Sequence, residues 1–133
     1  MRLTNRSEYA LLALVHLARR EHDGWIPAQT IAEAQQIPPK FLEQILLTLR
    51  LAKLVRSQRG KAGGYCLARK ADRIHLAEVV RLFDGALAPT ESVSKYFYES
   101  TPIEGEKGLL RVFREIRDFV ADRLEHTTLA DVR

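Results

Sequence analysis

Apolar residues recur every three or four positions along much of the chain, which is the spacing of helices with one buried face. The pattern predicts a helix from an N-cap at Thr4 to about Arg20, a second that starts near Pro27, and a third from Pro39 to about Lys53. The second and third helices meet across a tight break, an arrangement typical of a helix-turn-helix. The expected core positions are Tyr9, Leu12, Ala13, His16, Leu17, Ile31, Ala32, Ala34, Phe41, Leu42, Ile45, Leu46, Leu49 and Ala52.

The third helix has a wider apolar surface than a single stripe requires. Leu47 and Leu51 lie four residues apart outside the main stripe, and we expect them to pack on a neighbouring element. Polar residues occupy the start of the helix, as they do in helices that enter a DNA groove.

A glycine-rich hairpin is predicted directly after this helix. Short apolar runs at Leu54–Val55 and Tyr65–Leu67 flank a turn with three glycines and two cations, Arg59 and Lys61. Two short strands joined by such a turn are typical of a β-hairpin, and glycine lets the backbone approach a partner closely. A basic hairpin after a helix-turn-helix predicts a winged helix-turn-helix, a fold that binds duplex DNA.

The second half of the chain is predicted to contain two helices joined by a long loop. The fourth helix ends at Asp84–Gly85, and residues 86–108 form a partly ordered loop. The last helix extends from Leu109 to about His126. We expect a second copy of the chain to bury its apolar stripe, because the small N-terminal part can cover only some of it. The alternative is that the helix folds back entirely on its own domain. The stripe comprises Leu109, Val112, Phe113, Ile116, Phe119, Val120 and Leu124.

These elements predict a mainly α fold with a small β-hairpin wing. Residues 1–84 are expected to form a winged helix-turn-helix DNA-binding domain, and residues 85–133 a loop and a C-terminal dimerisation helix. No apolar run approaches the roughly 20 residues of a membrane span, and the N-terminus lacks a signal-peptide core. We therefore expect a cytoplasmic homodimer with no membrane association.

Positive charge is concentrated in the middle of the chain. Residues 40–73 contain nine lysines and arginines against two acids, although the whole chain has a formal net charge of +4. Such a cluster is the electrostatic footprint of a phosphate-binding face. An unevenly charged, solvated surface would give the same count, but here the cluster coincides with the helix-turn-helix and the hairpin. Double-stranded DNA is therefore the predicted partner.

These motifs resemble the Rrf2 superfamily of winged helix-turn-helix transcription regulators, of the IscR, NsrR, CymR and BadM type. The resemblance spans almost the whole chain and is most specific where Pro39–Leu46 is followed by the hairpin sequence Ser57–Leu67. It implies a homodimer with crossed C-terminal helices, the third helix in the major groove and the hairpin in the minor groove. It also implies a regulator of promoters, and we expect a repressor.

The resemblance also implies which residues contact DNA. Lys40, Glu43 and Gln44 would meet base edges, and Arg59 would enter the minor groove. Independently of the family, a carboxylate can accept a hydrogen bond from cytosine and a glutamine can pair with adenine. The alternatives are an ion pair of Glu43 with Lys40 and a solvated turn at Arg59. The other expected DNA-binding residues, which include the phosphate contacts, are Arg50, Arg56, Gly60, Lys61, Gly63 and Gly64.

The chain departs from those relatives that hold an iron–sulfur cluster through three cysteines in the loop before the last helix. Residues 84–108 contain neither cysteine nor histidine, and Cys66 is the only cysteine of the chain. Cluster iron is bound chiefly by thiolates, so we expect no cofactor, no metal and membership of the branch without the cluster motif. Glu8 matches a carboxylate ligand of some relatives, but a first-turn acid that favours the helix dipole is the simpler interpretation.

Two features leave alternatives open. Cys66 is either a small buried apolar residue or a redox sensor. The aromatic residues of Val93–Tyr98 either line a pocket for a small-molecule or protein effector or pin the loop to the body of the protein.

These features bear on three classes of function. The leading hypothesis is a sequence-specific DNA-binding transcription regulator. The alternative is a winged-helix adaptor that regulates a partner enzyme without binding DNA, which would have no use for cations at the hairpin tip. An enzyme is not expected, because the sequence shows no nucleophile–base arrangement, and Gly60–Gly64 lacks the spacing of a phosphate-binding loop.

Overall fold

The chain folds into six α-helices and one two-stranded antiparallel hairpin, in a computed structural model that describes all of residues 1–133. No helix is long and apolar enough to cross a lipid bilayer. The mainly helical fold with a small hairpin is as the sequence predicts. In chain order the elements are α1 (Asn5–Arg19), α2 (Ala28–Gln35), α3 (Pro39–Leu51), β1 (Val55–Gln58), β2 (Gly64–Leu67), α4 (Leu76–Asp84), α5 (Lys107–Glu125) and α6 (Leu129–Val132).

Helix α1 begins where its sequence predicts, and the end of α4 holds its first turn in place. The Thr4 hydroxyl accepts a hydrogen bond from the Ser7 amide, which confirms the predicted N-cap. The Asp84 carboxylate then accepts hydrogen bonds from the hydroxyls of Thr4 at 2.5 Å and Ser7 at 2.6 Å. An acid at this position satisfies the donors of the first turn and favours the positive end of the helix dipole.

The main core contains 20 buried residues from α1, α2, α3, the hairpin, α4, α6 and the loops between them. Four of the predicted core positions are wrong. Leu12 is 39% exposed because the buried face of α1 is centred on Ala10, Leu14 and Leu17. The other three are exposed at or beyond the helix surfaces: Ala34 on the outer side of α2, Phe41 in the first turn of α3, and Ala52 just past the end of α3.

Helix α3 ends two residues earlier than predicted, and the hairpin follows at once. Lys53 has a φ of 62°, a left-handed conformation that turns the chain out of the helix and into β1. The strands pair with Val55 opposite Leu67 and Gln58 opposite Gly64. The hairpin therefore stands beside the C-terminal half of α3.

A third short stretch of backbone, at Ile26, extends the hairpin into a small sheet that the sequence did not indicate. Ile26 and Tyr65 exchange two backbone hydrogen bonds of 2.8 Å. At Gly64, which has a φ of +147°, a Cβ atom would lie 2.3 Å from the Ile26 carbonyl oxygen. At Gly63 it would lie 2.0 Å from the Gln58 oxygen. Packing within the chain therefore requires both glycines, whatever the hairpin binds.

The chain does not end with the long helix, because its last residues return to the main core. Thr128 and Asp131 form a capping box that starts α6, and Leu129 is fully buried. The Leu129 amide donates to the Ile74 carbonyl at 3.0 Å. The division of the chain at residue 84 stays a prediction, and this contact adds the last residues to the body formed by α1–α3.

The predicted apolar stripe of α5 divides into two faces. Leu110 and Ala121, which the predicted stripe did not include, are buried against the preceding loop and α4, while the stripe members Phe113, Val120 and Leu124 are half-buried. The remaining four members point away from the body, and we call them the α5 outer face: Leu109, Val112, Ile116 and Phe119, with exposed fractions of 47, 47, 44 and 74%. The alternative that α5 is covered entirely by its own domain is therefore wrong.

Candidate nucleic-acid interface

Helix α3 and the hairpin border one cleft of about 470 Å³ on the same side of the molecule. Glu43, Gln44 and Arg50 line it from the helix, and Arg59 and Gly64 line it from the hairpin. The structure thus brings together five of the ten predicted DNA-binding residues. The remaining lining residues are Leu47, Ser57, Gln58 and Tyr65.

The burial of one face of α3 explains why its other face lines the cleft. Leu42, Ile45, Leu46 and Leu49 are all 1% exposed or less, which fixes the rotation of the helix about its axis. The polar residues on the opposite side must then face outward. Lys40 is exposed at the start of the helix, beside the cleft and not in its wall.

Glu43 is available to a partner outside the chain. The ion pairs of the structure do not include one between Glu43 and Lys40, which was the alternative role for this carboxylate. Glu43 lies at the boundary between the first cleft and an adjoining, more apolar groove between α2 and α3. Its contact with a base stays a prediction.

The hairpin tip projects into solvent. Arg59, Gly60 and Lys61 are all exposed, and Gly60 has a φ of +105°, which glycine adopts without strain. A hydrogen bond of 3.1 Å from the Gly63 amide to the Gly60 carbonyl closes the turn. The tip is therefore free to enter a groove. Arg59 is its cation that lies on the side of α3, in the wall of the shared cleft.

Arg56 lies on the other face of β1 and extends the basic surface around the hairpin. Its guanidinium lies 5.9 Å from the centroid of the Trp25 ring and 3.9 Å from the Cys66 sulfur. Together with Arg50 and Lys53 it borders a second open cleft.

Two residues of this surface, Leu47 and Trp25, are not among the DNA-binding residues predicted from the sequence. Leu47 is 47% exposed in the wall of the shared cleft, so the expectation that it packs on a neighbouring element is wrong, as it is for Leu51 at 71%. Trp25, whose ring contacts the Arg56 guanidinium, lies in a segment with no helical or strand periodicity. The one signal in the sequence for this residue is the presence of a tryptophan in an otherwise polar turn.

The donors of this chain do not fit an iron–sulfur cluster. No three side chains among the histidines, cysteines, aspartates and glutamates are grouped as metal ligands. Cys66 is the only thiol, and it lies in the wing, partly exposed beside the Arg56 guanidinium. A cluster needs several thiolates, and one residue cannot supply them.

The aromatic segment of the loop before α5 is held to the body from two sides. The Arg81 guanidinium of α4 lies 4.8 Å from the centroid of the Tyr96 ring, and the Arg117 guanidinium of α5 donates to the Val93 carbonyl at 2.7 Å. The cavity beside Tyr96 and Phe97 measures about 10 Å³, room for one water molecule at most. Of the two alternatives for this segment, the geometry favours pinning of the loop over a ligand pocket within one chain.

A helix-turn-helix whose second helix shares a cleft with an exposed basic hairpin defines the class of winged helix-turn-helix DNA-binding proteins. The profile of the Rrf2 family, described as iron-dependent transcriptional regulators, matches residues 3–133. The chain belongs to the Rrf2 family. Its single cysteine nevertheless cannot supply the several thiolates that bind an iron–sulfur cluster.

Named relatives and a solved structure agree with this assignment. The chain is 41% identical to Rv1287 of Mycobacterium tuberculosis, an HTH-type transcriptional regulator by name, over 99% of this chain and 81% of the relative. It is 35% identical to the HTH-type regulator IscR of Erwinia tasmaniensis, over 99% and 78%. The structure of CymR, the global cysteine regulator of Bacillus subtilis, superposes with a TM-score of 0.79 at 29% identity, covering 99% and 95%.

The chain is therefore a DNA-binding transcription regulator. The alternative of an adaptor that does not bind DNA is not supported, because the matched relatives are transcriptional regulators. They are regulators and not enzymes.

Proposed function

We propose that two copies of this chain bind a two-fold symmetric DNA site, with α3 in the major groove and the hairpin tip in the adjacent minor groove. The observation that carries the proposal is the shared cleft, in which side chains of α3 and Arg59 of the hairpin face one another. An α-helix fits the major groove of B-DNA, and an extended arginine fits the narrower minor groove.

Within the major groove, the first turns of α3 supply the base contacts. Glu43 can accept a hydrogen bond from the amino group of cytosine, and Gln44 can form two hydrogen bonds with adenine. Lys40, exposed one turn earlier, reaches either a guanine edge or the flanking phosphates. These three residues differ in hydrogen-bonding capacity, which is what sequence discrimination requires.

Phosphate contacts position the protein around these base contacts. Arg50 at the end of α3, Arg56 on the outer side of β1 and Lys61 at the tip all lie on the exposed basic surface. The backbone around Gly60, Gly63 and Gly64 lies in the same hairpin as Arg56 and Lys61, close to the proposed phosphate contacts. Each neutralised phosphate releases counterions, so a dimer that contacts six to ten phosphates loses on the order of a thousandfold or more in affinity between low and moderate salt.

The homodimer is proposed to form through the α5 outer face. Its members recur at intervals of three and four residues, the spacing of a helix that packs along a second helix. A two-fold axis along this face would join two clefts in one assembly, as a site with two symmetric half-sites requires. It would also bury Phe119, which is 74% exposed in the single chain.

We propose that the regulator represses transcription in the cytoplasm and works without an iron–sulfur cluster. A dimer seated on a promoter excludes polymerase by occupancy alone, which needs no activating surface. The single Cys66 thiol cannot supply the ligands of a cluster. Any signal must therefore reach the protein by another route.

Selection of bound duplexes from random DNA, followed by binding measurements on two variants, tests the proposal. Arg59→Ala should weaken binding to every sequence by about tenfold, whereas Glu43→Ala should chiefly reduce the preference for the selected site over scrambled DNA. Lys107→Ala, which removes an exposed cation at the start of α5, is the matched control for charge. Equal affinities of Arg59→Ala and Lys107→Ala would contradict the placement of the hairpin, and undiminished preference in Glu43→Ala would contradict the role of Glu43.

A further inference from the structure

An apolar side chain occupies the centre of the polar surface that α3 presents to its partner. Leu47 is 47% exposed and lies in the wall of the shared cleft with Glu43, Gln44 and Arg50. A leucine gains nothing from facing water, and no element of the chain covers it. By contrast, the large apolar residues of α3 that face the core are buried completely.

Helix geometry places Leu47 between the two residues proposed to contact bases. At about 100° per residue, Leu47 lies roughly 40° around the axis from Glu43 and 60° from Gln44, one turn further along. The buried stripe from Leu42 to Leu49 is on the opposite side of the helix. A duplex edge that meets both polar side chains must therefore also meet Leu47.

We propose that Leu47 recognises the 5-methyl group of a thymine in the major groove. This inference rests on the proposed function and names the base feature that one further residue of the same site detects. The thymine methyl is the only apolar group that base pairs present in the major groove. Leucine neither donates nor accepts hydrogen bonds, so a cytosine amino group at that position would lose its partner water without replacement.

Leu51 provides an internal comparison for this argument. It is also a leucine of α3 and is even more exposed, at 71%, but it lies one turn beyond Leu47 and outside the cleft wall. Isolated exposed leucines are ordinary on protein surfaces. Position within the cleft, not exposure, distinguishes Leu47.

Replacement of thymine by deoxyuridine tests the proposal, since it removes only the methyl group. The probe is the duplex recovered by selection with the wild-type protein, in which each symmetric pair of thymines is changed in turn. Burial of one methyl corresponds to about a fourfold change in affinity, or roughly fifteenfold for two half-sites bound by a dimer. We expect one thymine pair to show this loss with the wild-type protein.

The same duplex pair is then measured with Leu47→Ala and Leu51→Ala. Leu47→Ala should bind the thymine and deoxyuridine duplexes equally, while Leu51→Ala should retain the full wild-type ratio. Circular dichroism and a thermal melt establish that both variants fold, as expected for exposed positions. An unchanged ratio in Leu47→Ala, no thymine pair with a loss in the wild type, or an equal loss of discrimination in Leu51→Ala would overturn the inference.

Failure of the underlying function gives a different result. If selection recovers no duplex, or if Arg59→Ala binds the recovered duplex as tightly as the wild type, the docking of α3 and the hairpin fails, and the role of Leu47 fails with it. If docking holds and only the methyl dependence is absent, the role of Leu47 alone is wrong.

Discussion

Helices α3 and α5 have similar apolar patterns, but the chain covers them to very different degrees. In α3, four leucines and isoleucines are 1% exposed or less, because α1, α2 and the hairpin surround them. In α5, only Leu110 and Ala121 are buried, and four large apolar residues remain exposed. The core of the helix-turn-helix is therefore complete within one chain, whereas α5 keeps an uncovered apolar face, which is the proposed assembly surface.

The exposed residues of the two helices also differ in kind. The large exposed residues of α3 are polar except for Phe41 in its first turn, Leu47 and Leu51, and the helix shares its cleft with the basic hairpin. The α5 outer face is apolar at every member. A polar, cationic cleft suits a hydrated polyanion, while a continuous apolar face suits a second apolar face. The two helices are therefore expected to have different partners.

The largest expected effect comes from placing a charge on the α5 outer face. Ile116→Glu should convert the proposed dimer to a monomer, because a carboxylate would be buried without a partner. Affinity for a two-half-site duplex should fall by about a hundredfold or more, since the two DNA-binding units are no longer linked. Sedimentation velocity and fluorescence anisotropy measure the two outcomes.

Val132→Glu is the matched control for Ile116→Glu, because it places the same charge on an apolar residue of α6 that is 42% exposed. It should leave both the assembly and the DNA affinity unchanged. A wild-type sedimentation coefficient for Ile116→Glu would show that α5 is not the assembly surface.

Shortening a buried side chain of α6 tests whether this helix belongs to the same core as α1 and α3. Leu129→Ala should lower the free energy of unfolding by about 2–5 kcal/mol, because it opens a cavity in the core shared with α1 and α3. Val132→Ala in the same short helix should change it by less than about 0.5 kcal/mol. Urea denaturation at one protein concentration measures both, and equal values would place α6 outside the core.

The smallest expected effect concerns His16, a buried histidine of α1. Burial, followed by the nearby Arg20 and Arg19, lowers the pKa of His16 below its ordinary value of 6.5, and its Nε2 atom has no hydrogen-bond partner. The unfolded chain therefore takes up this proton at a higher pH than the folded chain does. Its contribution to stability is complete above pH 6.5 and is lost as the pH falls through and below that value.

Comparison of His16→Gln with His22→Gln isolates this contribution. His22 is 91% exposed, so its replacement is the control for loss of an imidazole at the surface. His16→Gln should reduce the slope between pH 7 and 5 by at most about 1.4 kcal/mol per pH unit. Identical slopes in the two variants would contradict the assignment to His16.

Prediction from sequence succeeded where the determining interactions are local. The N-cap at Thr4, the start of α3 at Pro39 and the glycine turn of the hairpin each depend on residues within a few positions of one another. The prediction that α3 and the hairpin lie on the same side of the molecule also depends on local sequence, because only Ala52–Leu54 separate the two elements. The cationic segment and the single cysteine are likewise properties of the sequence alone.

Prediction failed where a residue's environment depends on parts of the chain far away in sequence. Leu12 is exposed because α2, α3 and α4 cover α1 from the side of Ala10 and Leu14. Gly64 is required by the backbone of Ile26, and Leu129 is buried in a core whose other members all lie far earlier in the chain. No local pattern contains this information.

The sequence by itself determined the winged helix-turn-helix, the basic surface of α3 and the hairpin, and the absence of the thiolates that a cluster needs. Caps, turns, periodicity and charge act over a few residues, so they can be recognised without the fold. Only the tertiary structure decided which side of each amphipathic helix is covered, why Gly63 and Gly64 are glycines, and that Leu47 stands among the polar residues of the cleft. Those outcomes depend on how distant segments pack, because an apolar stripe specifies that it must be buried but not what buries it.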